Sequence, residues 1–79
     1  MSNKAFKQED LAGLTKGILT KVEDSVINKV LPPHLADENT LALALGEKEI
    51  EDLATTKAKC ALVPLGVNIP NISTIEVER

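Results

Sequence analysis

Pro32 and Pro33 stand side by side near the middle of the chain and constrain it more than any other residues. Proline has no backbone N–H to donate, and it drives the residue before it away from helical backbone angles. Whatever regular element leads up to Leu31 must therefore stop there. Pro64 and Pro70 punctuate the last part of the chain in the same way.

The segment before the proline pair is LAGLTKGILTKVEDSVINKVL, residues 11–31. At about 100° per residue, Leu11, Leu14, Ile18, Leu19, Val22, Val26 and Val30 fall on one broad face. This spacing predicts a single amphipathic helix, with Glu9 and Asp10 at its start, where the helix dipole favours acids. The repeat is slower than a strict heptad, which disfavours a long left-handed coiled coil. Ile27 and Leu31 lie nearly opposite the stripe and point to a second contact near the end of the helix. Gly13 and Gly17 share one side, consistent with a close helix–helix approach or with two tolerated surface glycines.

Between the prolines, TLALALG has two readings. Alternation would place Leu41, Leu43 and Leu45 on one face of a strand. Leu and Ala are strong helix formers, however, and no β-branched residue follows Thr40, so a short helix closing at Gly46 is preferred. The run EKEIEDLATTKAKCALV then predicts a helix from Glu47 to Leu62. Its acids lie at the start, Lys57 and Lys59 lie near the end, and Ile50, Leu53, Ala54, Ala58, Ala61 and Leu62 form its apolar side. Whether residues 40–62 make one helix or two is left open.

Beyond Pro64 the character changes. Pro70 excludes a central strand across that point. From Ser73 onward Ser73, Ile75 and Val77 alternate with Thr74, Glu76 and Glu78, which is the pattern of a half-buried strand. Its partner would be TLALAL or a sheet on another chain.

The expected fold is therefore mainly α: two or three short amphipathic helices with an extended C-terminal arm or single β-strand. The alternative is a small α+β fold with a two-stranded sheet. The expected division is a helical body over residues 1–62 and an extended arm over residues 63–79. At 79 residues the chain makes one small domain, yet it carries eleven Leu, six Ile and six Val for its interior. Phe6 is its one aromatic residue, so the rigid anchors usual in ligand pockets are missing.

Catalysis needs scarce residue types in combination, and they are few here. His34 is the only histidine and Cys60 the only cysteine. A lone His supplies neither a triad nor a metal shell, and a lone Cys forms no intrachain disulfide. Cys60 reads as a buried, inert thiol near a helix end, since free Cys is among the most buried residue types. Glu47, Glu49, Glu51 and Asp52 read as a solvated, dipole-matched helix start rather than a cation site. The four glycines match no phosphate-binding fingerprint. No enzyme activity, cofactor, metal or small-molecule substrate is expected.

The net charge of −3 and the presence of Arg79 as the sole arginine speak against a nucleic-acid partner. The first ten residues contain no apolar run of the signal-peptide kind, and the charges within residues 11–31 exclude a transmembrane span. The expected setting is a soluble one, cytoplasmic or inside an assembled particle.

What remains is a small non-enzymatic structural or interaction protein. It would work through protein contacts in a homo-oligomer or a larger assembly such as a virus particle. Ile27, Leu31, Val67, Ile69, Ile72, Ile75 and Val77 are the expected partner-binding residues. The alternatives are a small phage-type inhibitor or regulator that binds a host protein and, third, an antitoxin-like or repressor-like DNA-associated regulator.

Overall fold

The computed structural model describes residues 5–67 and 69–78. The fold is α/β rather than mainly α, with 33% strand against 23% helix. In chain order the elements are β1 (Phe6–Lys7), α1 (Gln8–Thr15), β2 (Ile18–Thr20), β3 (Val26–Ile27) and β4 (Lys29–Leu31). A 3-10 turn (Pro33–Leu35), β5 (Thr40–Leu43), α2 (Glu47–Asp52), β6 (Cys60–Pro64) and β7 (Ser73–Val77) follow.

Five strands form one sheet in the order β2-β7-β6-β5-β4, and β1 and β3 form a separate antiparallel pair. Within the five-stranded sheet β4, β5, β6 and β7 run parallel, and β2 closes one edge antiparallel to β7. The register aligns Val30, Leu41, Cys60 and Ser73 in one row. Leu43, Leu62, Ile75 and Leu19 form a second row on the same face.

Both faces are covered. On the face just described, Ala12 of α1 and Ile27 of β3 pack with Leu41, Cys60 and Ile75. On the other, Ala42, Ala44, Ala61 and Val63 pack with Ala36, Leu53 and Ala58. Ile50 of α2 and Val67, Ile69 and Ile72 of the loop before β7 complete that second layer. The connections over residues 32–39 and 65–72 are shorter than the dozen or so residues usual between parallel strands. Their described residues hold only the 3-10 turn Pro33–Leu35 and no α-helix, and Ala36, Val67, Ile69 and Ile72 pack on the small Ala42, Ala44 and Ala61.

Three expected helices are corrected. The Leu11–Leu31 segment is α1 followed by β2, β3 and β4. Lys16, at φ 56°, ends α1 in the left-handed region, and the Gly17 N–H bonds back to Ala12 O at 2.9 Å. Beyond that point Ile18, Thr20, Val26, Ile27 and Val30 supply the β-branched residues that strands favour. The period-four stripe is not a buried face: Leu14, Ile18, Val22, Val26 and Val30 are all exposed, by 49–71%.

TLAL is strand β5, with Thr40, Leu41 and Ala42 at 0–4% exposure. A central parallel strand is buried on both faces and loses the alternation that identifies a strand. The third helix is only α2, Glu47–Asp52; Cys60 to Leu62 belong to β6. The prolines do stop elements, but Pro32 follows a strand and Pro64 ends one.

The expected tail strand is present as Ser73–Val77, but not as an arm and not in a two-stranded sheet. It lies between β2 and β6 inside the five-stranded sheet. Its Ser73, Thr74 and Ile75 are all buried. Among the described residues, no helix is long and apolar enough to cross a membrane.

Candidate interaction surface

The strands' shared direction gathers the ion pairs at one end of the sheet, where Val22 and Val26 are exposed as well. At the end where the parallel strands begin, three lysines gather the acids. Lys21 pairs with Glu9 at 2.7 Å and also with Asp24; Lys59 pairs with Glu23 at 3.0 Å and lies 3.9 Å from Glu38. Lys29 at the head of β4 pairs with Asp37. The Lys29 ammonium, with the Asn39 N–H and the Thr40 hydroxyl, holds the Asp37 carboxyl at a pKa of about 2. Hydrogen bonding to Lys21 likewise lowers Glu9, and Asp24 with Glu9 raises Lys21.

Buried polar groups tie the same end together. Ser73 Oγ accepts from the Val22 N–H at 2.9 Å and the Glu23 N–H at 3.3 Å, and donates to Glu23 O at 3.1 Å. Gln8, 1% exposed, donates from Nε2 to Glu23 O at 2.9 Å and Ser25 Oγ at 2.7 Å. The loop after β2 is thereby fastened to both α1 and β7.

The other end, where the parallel strands finish, exposes several aliphatic side chains among charged ones. Leu43 closes β5, and Leu65 follows β6 with its N–H on Val77 O at 3.0 Å. Ile18 opens the antiparallel β2, and Leu14 lies in the last turn of α1. Their exposures are 39%, 49%, 60% and 71%. Leu43 and the half-buried Leu45 line a shallow cleft of about 250 Å³ with Pro32, Gly46 and Glu49. Single exposed apolar side chains are ordinary, and here Leu43 lies on the Cys60 face of the sheet and Ile18 on the Val63 face, so this end is a candidate contact region rather than one continuous patch.

The expected partner-binding residues are distributed otherwise. Ile27 and Ile75 are 2% and 0% exposed and lie in the chain's own core. Val77 is half-buried against that core, and Leu31 is half-buried beside Ala42 on β5. Val67, Ile69 and Ile72 come together on the opposite face. There Ile69 and Ile72, with Ile50, Leu53 and Asn71, line a cleft of about 600 Å³ between α2 and the loop. Leu14, Ile18, Leu43 and Leu65 were absent from the expected set. Two of them had been assigned to a buried helix face, and Leu43 to a helix where the chain makes a strand. The one signal for Leu65 is its place between Pro64 and Gly66, in a turn.

The residues with catalytic chemistry remain apart. His34 is exposed in the 3-10 turn. Cys60 is fully buried at the start of β6, not near a helix end, and burial pushes its thiol up to about 12. The direction follows from desolvation rather than from a helix dipole. Among the described residues, no group of three or more His, Cys, Asp and Glu side chains is placed to hold a metal ion. No protein-family model matches the sequence, and no curated protein matches it.

Proposed function

We propose that the chain is a small non-enzymatic structural or interaction protein that works through protein–protein contacts in a homo-oligomer or larger assembly. The observation that supports it is the end of the sheet where the parallel strands finish. Leu14, Ile18, Leu43 and Leu65 stay exposed there, with no ion pair among the described residues at that end, whereas the opposite end holds the ion pairs and buried hydrogen bonds. Covering one such side chain contributes about 1.5–3 kcal/mol, so a partner seated on this end gains several of these increments at once.

The test is native mass by light scattering, for the purified chain and for the chain added to extract of its native cells. A mass above that of the monomer is expected in at least one condition. The Leu43→Asp/Leu65→Asp double variant alters exposed positions, so it should keep the fold and remain monomeric in both. A wild-type chain that is monomeric in both conditions overturns the proposal.

A further inference from the structure

We draw no further inference here: the strongest candidate, the cleft of about 600 Å³ between α2 and the loop before β7, with Ile50, Leu53, Ile69 and Ile72 in its lining, is an unpartnered apolar groove, and nothing in the structure shows what covers it.

Discussion

Gly17 is where α1 hands the chain to the sheet, and the space there is taken. A methyl group on Gly17 would fall 2.5 Å from Ile75 Cγ2, 2.9 Å from Val77 Cγ1 and 3.0 Å from Glu76 O. Gly13, one turn earlier in α1, has nothing within 4 Å of the same added atom. Gly17→Ala should therefore lower stability by about 1–3 kcal/mol through overpacking. Gly13→Ala should raise it by about 0.5–1 kcal/mol through helix propensity. Urea denaturation of the two variants checks both signs. Ser73→Ala removes a hydroxyl that serves three backbone groups of the loop after β2. A loss of about 1–3 kcal/mol is expected, read from the same denaturation midpoint.

Asp37 acts at the same scale. Its pKa is depressed on folding, from an ordinary 3.8 to about 2. The stabilisation it supplies is thus complete above about pH 4 and is lost as pH falls from there through 2. Asp37→Asn should weaken the fold near neutral pH and flatten the acid limb of a stability–pH profile between about pH 4 and 2. An unchanged acid limb would remove Asp37 from the account of the β4–β5 connection.

At the scale of elements, β7 is the member with most at stake. It pairs with β2 on one side and β6 on the other, and its first three residues are buried. An arm could be removed and leave a folded body. Deleting residues 70–79 instead takes out the strand that joins β2 to the parallel part of the sheet. The truncated chain should lose its cooperative unfolding transition, followed by far-UV circular dichroism during urea titration. A truncated chain with an unchanged midpoint would show that the body folds without β7. The strand itself was legible beforehand because Ser73 to Glu78 alternate and no proline interrupts them. β5 and β6 were not, because strands covered on both faces read as unbroken runs of Leu, Ala and Val, which local preference assigns to helices.

At the scale of the molecule, the parallel strands share one direction and so gather the ion pairs at one end. Lys21, Lys29 and Lys59 converge with their acids where the strands begin, although the three are spread along the sequence and Glu9, Asp37 and Glu23 reach them from other segments. Leu43 and Leu65 come out at the far end because Leu43 is the last residue of β5 and Leu65 the first after β6. The candidate surface is thus a property of strand order, which no local pattern encodes. Of the residues expected there, Ile27 and Ile75 lie in the interior and Val67, Ile69 and Ile72 lie under α2. Their hydrophobicity was plain, but which layer would cover them was not.

By itself the sequence determined where elements must stop, at Pro32 and Pro64, and that the last strand would alternate. It also determined that the chemistry is sparse, with one His, one Cys and no aromatic beyond Phe6. Only the tertiary structure decided that the period-four stripe from Leu14 to Val30 would face solvent and that the tail would lie within the sheet. The physical reason is that helical spacing and strand burial draw on the same aliphatic residues. Pairing among distant strands, from Leu19 on β2 to Ile75 on β7 and Leu41 on β5, buries more of the chain than a lone helix ending at Pro32 could cover.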